Sequence, residues 1–304
     1  MIATTTSFAC YRPLEGKLAL VTGASRGQVS FPKSLRNDSQ YTGIGTAIAF
    51  NLASKGARLI LNHSAPASSQ MCRELALELQ DRYGVEHLVV QANMGTVTGP
   101  GDLIQKAAAR ISNLKIDIIV NNAGVLTLLK IADINIEAFD LVYHVNVRGP
   151  LLLMKAALPN LPNDRSGRIV NISSISATVG GNGQSIYGGS KAALNSMTRT
   201  WSRELAECAT VNSINPGPVS TELMRRATSS PYSGFNRSFF ELTPLSRVRE
   251  GVDDDFTIDF AGIHGGRPAY VEEIAGIVSM LVSNESGWCT GQVICANGGF
   301  RMAT

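Results

Sequence analysis

"KLALVTGASRGQVSFPKSLRNDSQYTGIGTAIAFNLASKG", residues 17–56, opens as a buried strand, turns on glycines, and closes as a helix ending on Gly56. A strand that runs straight into glycines and then into a helix N-terminus lets backbone amides approach a phosphate closely. This turn is interrupted. "TGASRG" (22–27) and "GIGTAIAF" (43–50) are complementary halves, and setting aside the sixteen residues Gln28 to Gly43 restores "TGASRGIGTAIAFNLASKG". The rejoined turn offers Gly23, Ser25, Arg26, Gly27, Ile44 and Gly45 as contacts for a dinucleotide's pyrophosphate.

Outward from that stretch, apolar runs and helical patterns alternate to the end of the chain. "ARLILN" (57–62), "HLVVQAN" (87–93), "IDIIVNN" (116–122), "GRIVNISS" (167–174), "TVNSINPG" (210–217) and "QVICANGG" (292–299) are continuously rather than alternately apolar. Such runs read as parallel strands covered on both faces. Helical periods fill the gaps, among them "SSQMCRELALELQDRYG" ending on Gly84 and "VEEIAGIVSMLVS" (271–283). The expected fold is α/β: one doubly wound, Rossmann-type domain over residues 1–304, with a seven-stranded parallel sheet and helices on both faces.

Composition excludes several function classes. A net charge of +3 with both signs spread along 304 residues leaves no basic stripe, so no nucleic-acid partner is expected. Five cysteines without CxxC spacing suggest neither a disulfide framework nor a zinc site, and no metal is expected. No apolar run approaches membrane-spanning length and the first residues lack a secretory pattern, so the expected location is cytoplasmic.

Dinucleotide folds place the ribose-reading residue at the end of the second strand, about 20 residues past the glycines. From Gly23 to Asn62 is 39 positions, which becomes 23 once the interruption is set aside. Asn62, His63 and Ser64 stand there with no carboxylate to repel a 2′-phosphate, and Arg26 is a candidate positive partner for it. The charge argument favours NADP(H) over NAD(H).

"SSISATVGGNGQSIYGGSK" (173–191) carries the chemistry. Tyr187 and Lys191 are four residues apart on one helix face, with Ser174 thirteen residues before the tyrosine. A tyrosine near its ordinary pKa of about 10 is a poor proton donor, and a neighbouring ammonium corrects this by stabilising the phenolate. Lys191 suits that role, and Ser174 suits a hydrogen bond to a substrate carbonyl.

With these residues in place the chain resembles the short-chain dehydrogenase/reductase family over nearly its whole length. In the family pattern TGxxxGxG, Gly23, Gly27 and Gly45 match, with Gly43 as a stand-in for Gly27. "NNAG" resembles the family motif after strand four, which implies cofactor contacts at Asn121, Ala123 and Gly124. Asn146 in "YHVNVRG" matches the catalytic asparagine, implied to hold a water in a relay to the lysine, and completes a tetrad with Ser174, Tyr187 and Lys191. "NPGPVST" resembles the segment closing over the nicotinamide, implying Pro216, Gly217, Val219 and Thr221 as further contacts. Asn93 stands where many relatives carry an acid near the adenine, and an amide still donates and accepts there. "TPLSRV" and "ESGWCTGQVICANGG" look most like 3-oxoacyl reductases and polyhydroxynaphthalene reductases.

The resemblance implies an NADPH-dependent reductase acting on a small or medium-sized, mostly apolar ketone, working as a dimer or tetramer. Two alternatives are a catalytically silent dinucleotide-binding protein, because the turn is interrupted, and an alcohol dehydrogenase running oxidatively. The interruption itself reads as a loop excursion or as a short intron retained in frame, and the clean rejoined turn favours the intron. A second segment, residues 249–265, reads as an insertion or a substrate lid, and its run Asp253 to Asp255 as a solvated face.

Overall fold

Seven parallel strands form where the sequence is continuously apolar: β1 (Leu18–Val21), β2 (Arg58–His63), β3 (His87–Gln91), β4 (Ile118–Asn121), β5 (Gly167–Ile172), β6 (Ala209–Pro216) and β7 (Val293–Ala296). They pair in the order β3-β2-β1-β4-β5-β6-β7 in the computed structural model, which describes residues 12–25, 43–228 and 237–302. Arg26, Gly27 and Gln28 to Thr42, and with them most of the interruption, lie outside the described residues.

Helices α1 (Ile44–Ser54), α2 (Ser69–Tyr83), α3 (Gly99–Ala108), α4 (Ile136–Tyr143), α5 (Gly149–Ala157) and α6 (Ser185–Glu204) connect the first six strands. α7 (Glu222–Thr228), α8 (Arg237–Glu241), α9 (Asp255–His264) and α10 (Val271–Val282) lie between β6 and β7. Alternation along β1 explains why the sheet is covered twice. Ala19 and Val21 join Ile48, Leu52, Leu75, Ile274 and Val278 on the α1, α2 and α10 face. Leu18 and Leu20 join Leu103, Leu153, Leu194 and Trp201 on the α3, α5 and α6 face. The strand order reverses direction between β1 and β4, and the crevice at their carboxyl ends is where this architecture takes ligands.

Residues 249–265 are tied into the fold by charge. Asp253 has no side-chain exposure and lies 2.6 Å from an Arg249 guanidinium nitrogen and 3.6 Å from Arg267 Nε. Arg267, itself buried, also reaches Glu273 at 2.9 Å and stacks on Tyr270, with 5.2 Å from guanidinium carbon to ring centroid. Asp254 accepts from Thr257 N at 2.7 Å and so starts α9, and Tyr270 donates its hydroxyl to Thr257 Oγ1 at 3.1 Å. The expected solvated face holds at Asp254 and Asp255, which are exposed, and is corrected at Asp253, which is buried, bonded to Arg249 and close to the buried Arg267. Among the described residues no cluster of His, Cys, Asp or Glu is suited to a metal, and no helix is long and apolar enough to cross a membrane.

Candidate active site

A cavity of about 750 Å³ opens along the carboxyl ends of the central strands. Its floor is the glycine turn. Gly23 has φ +65°, the left-handed region that side chains avoid. A Cβ on Gly45 would collide with the Asn122 amide and stand 2.7 Å from the Gly23 carbonyl oxygen. This backbone-on-backbone cradle, at the N-terminus of α1, fits the pyrophosphate of a dinucleotide.

Asn122 holds the cradle shut. Its Nδ2 donates to the Thr22 and Gly23 carbonyls at 2.8 and 3.1 Å. The Thr22 hydroxyl in turn accepts from the backbone N–H of Asn122 and of Ala123, both at 3.0 Å. The ends of β1 and β4 are thus cross-linked at the point where the sheet changes direction. Asn121, one residue earlier, points away and donates to Asn171 Oδ1 at 2.8 Å within the sheet.

At the β2 end, Asn62 reaches the cavity wall but is bonded to backbone. Its Nδ2 donates to Ala92 O at 3.0 Å and Val90 O at 3.3 Å, while its Oδ1 accepts from Gly23 N at 3.4 Å. His63 Nδ1 pairs with the Ala65 carbonyl at 3.0 Å and the ring stays behind the wall. Ser64, Ala65, Asn93 and Met94 line this end. Asn93 Oδ1 accepts from Gly95 N at 2.9 Å.

At the other end, Ser174, Tyr187 and Lys191 meet the same cavity. Ser174 starts a short 3-10 turn (Ile175–Ala177), where its Oγ accepts from Ser176 N at 3.1 Å. Lys191, four residues past Tyr187 on α6, donates from Nζ to Ile172 O at 2.8 Å. Burial pulls Lys191 down to about 8. Burial pushes the Tyr187 phenol above its ordinary value, and a hydrogen bond from Ser174 opposes it. For the tyrosine the burial effect prevails. An ammonium near a forming phenolate would act against it.

Asn146 lies just behind the wall on a π-helical turn, His144–Arg148, that joins α4 to α5. Such turns re-aim one side chain within a helix. Its Nδ2 donates to Val125 O at 2.9 Å and Ser190 Oγ at 3.0 Å, and its Oδ1 accepts from Val125 N at 2.9 Å. Asn146 Oδ1 and Lys191 Nζ both flank Gly124, each 3.4 Å from where a Cβ would sit. On the far wall Pro216, Gly217, Val219 and Thr221 line the cavity, and Thr221 Oγ1 accepts from Met224 N at 3.2 Å to start α7.

The cavity therefore gathers Gly23, Ser25, Ile44, Gly45, Asn62, Ser64, Asn93, Ala123, Gly124, Ser174, Tyr187, Lys191, Pro216, Gly217, Val219 and Thr221. His63, Asn121 and Asn146 stand behind it, and Arg26 and Gly27 lie outside the described residues. Asn122 is the main residue the sequence reading passed over, although "NNAG" contains it. Met94, Glu222 and Met224, also lining, carry no local motif.

The family described as short chain dehydrogenase matches residues 40–231, a span that begins inside the interruption and leaves β1 and Gly23 before it. The L-xylo-3-hexulose reductase of Hypocrea jecorina is 41% identical, covering 96% of this chain and 99% of that protein. The L-xylulose reductase of Aspergillus niger is 40% identical, covering 96% and 99%. Among solved structures, a blue fluorescent protein from a metagenomic library in complex with NADPH superposes with a TM-score of 0.76 at 27% identity, covering 95% of this chain and 100% of that one.

Proposed function

This chain belongs to the short-chain dehydrogenase family, and from that premise we propose that it is an NADPH-dependent reductase of a small polyhydroxy ketone, with Tyr187 as the proton donor. The observation that carries the reading is the single cavity that holds Ser174, Tyr187 and Lys191 together with the glycine cradle. NADPH rather than NADH is favoured because residues 62–65, Asn-His-Ser-Ala, include no carboxylate. The names of the two ketose-reducing relatives shift the substrate class from a mostly apolar ketone to a hydroxylated one.

When bound, the nicotinamide supplies the hydride. Ser174 orients the substrate carbonyl by hydrogen bond, and Tyr187 gives its phenolic proton to the carbonyl oxygen. Lys191, as an ammonium, stabilises the phenolate left behind. Asn146 fixes the loop after β4 against Ser190, one residue before Lys191, and so sets the lysine's surroundings. Asn62, Asn93, Asn122, Ala123 and Gly124 support the adenosine side, and Val219 and Thr221 the nicotinamide side.

The whole chain is read as one cofactor-binding domain with Gln28 to Gly43 as an insertion into its phosphate turn. It is also read as cytoplasmic and as a homo-oligomer, the latter in keeping with the exposed Leu151 and Leu158 along and just past α5, and light scattering measures the oligomeric state. The test of function is an NADPH titration followed by NADPH oxidation with ketopentoses, on this chain and on one lacking Gln28 to Gly43. Turnover by either chain supports the reductase, and turnover by the shortened one alone marks the insertion as incompatible with the cradle. Cofactor binding without turnover by both favours the silent reading.

A further inference from the structure

Gln184 stands one turn before Tyr187 at the N-terminal boundary of α6, a position where a side chain commonly bends back to cap the helix. It does not cap, and among the described residues its side-chain amide has no hydrogen-bond partner. The residue is nonetheless 5% exposed. Neither its oxygen nor its nitrogen is among the fully buried side-chain atoms without a partner, so both keep some exposure and are open to pair with a ligand.

The amide is held in place. It lies over Gly181, where a Cβ would stand 2.5 Å from Gln184 Cδ and 3.0 Å from Nε2, so that position has room for no side chain. Gln184 N donates to Gly181 O at 3.2 Å, Gln184 O accepts from Gly188 N at 2.7 Å, and Gly183 O accepts from Leu129 N at 3.0 Å. Gln184 lines the cavity with Ser174, Ser176 and Tyr187. Lys191 flanks Tyr187 from the other direction, toward Ile172 and Gly124 on the cradle side. Along α6 Gln184 and Lys191 therefore stand on opposite sides of the tyrosine.

We propose that Gln184 is the residue that selects hydroxylated ketones, its amide pairing with a hydroxyl on a carbon next to the substrate carbonyl. A hydroxyl both donates and accepts, as the amide does, whereas cavity neighbours such as Leu126 and Met224 do neither. A ketone lacking that hydroxyl would leave the amide unpaired, and a site built around a polar pair rejects such an analogue. This assignment rests on the ketone-reductase reading and gives it its specificity residue.

The test uses the full chain, NADPH, a ketopentose, and its two analogues lacking the hydroxyl on one or the other carbon beside the carbonyl. Wild type is expected to favour the parent over at least one analogue by about 10- to 100-fold in kcat/KM. Gln184→Met, similar in length and without the amide, should bring that ratio near one with NADPH affinity unchanged. Gln184→Leu, which also lacks any hydrogen-bonding group, is read by the same ratio if the methionine variant does not fold. A ratio kept in the variant, or an equal loss on all three ketones, overturns the role of Gln184 alone. Wild type that binds NADPH and reduces none of the three overturns the ketose reading and this assignment with it.

Discussion

At the cradle end of the cavity, Asn62 and Asn122 donate from their amides to backbone carbonyls, whereas at the β5 and α6 end Tyr187 and Lys191 are buried groups whose protons can move. Both ends are polar and both are out of water. The first end uses amides, which have no charge to lose, to hold three strand ends in register. The second keeps an ammonium and a phenol where solvation does not support charge, which costs stability and yields reactivity. Substitutions at the two ends should therefore part company: rate falls at one, folding at the other.

The comparison breaks first at Tyr187. Tyr187→Phe should lower kcat for ketone reduction by about 10²- to 10⁴-fold, with thermal midpoint and NADPH affinity retained. A fall in stability of matching size would make the tyrosine a packing residue. Lys191→Met should lower kcat by about 10²-fold while leaving stability at neutral pH unchanged or higher. The sign follows from linkage. With a folded value of about 8, below the usual lysine range, the unfolded chain holds this proton more tightly. The penalty is then full below about pH 8 and shrinks as pH rises from there toward the ordinary lysine value. In the wild type, reduction should decline above about pH 8 as the ammonium is lost, a decline absent from whatever activity Lys191→Met retains.

Asn62→Leu sharpens the other side. It leaves the Ala92 and Val90 carbonyls without their amide donor and should destabilise by about 1–3 kcal/mol, measured by denaturant unfolding, with kcat little changed. The smallest effect is expected at Asn93→Ala. Its side chain is exposed and bonds only across a short turn, so stability should move by less than about 0.5 kcal/mol, and NADPH affinity reports whether it touches the cofactor.

The sheet was legible because most of the strands carry apolar runs, a pattern that survives without knowledge of neighbours, although β6 buries Thr210, Asn212, Ser213 and Asn215. Ser174, Tyr187 and Lys191 were legible because a helix brings residues four apart onto one face and β5 delivers the serine to the same edge. Asn62 was located correctly, yet its partners, the carbonyls of Val90 and Ala92, belong to a strand end some 30 residues on, and no local spacing announces them. Asn121 and Asn122 differ for a local geometric reason. Successive side chains at a strand end point opposite ways, so one enters the sheet and the other clamps the cradle. Of the acidic run only Asp253 differs from the expectation, because Arg249 bonds it and Arg267, beyond the helix that the run initiates, stands 3.6 Å away.

That pairing has a hereditary consequence. A guanidinium in the interior stands between a carboxylate carried by a connecting segment and a second one, Glu273, near the start of α10, so removing the segment leaves position 267 with one of its two counter-charges. Descendants of this chain that trim residues 249–265 should keep Glu273 as the counter-ion of Arg267, and those that keep the acid at position 253 should keep the arginine at 267. Where the segment is kept, the two positions are expected to change together, as one inherited unit, even as the stretch around them drifts.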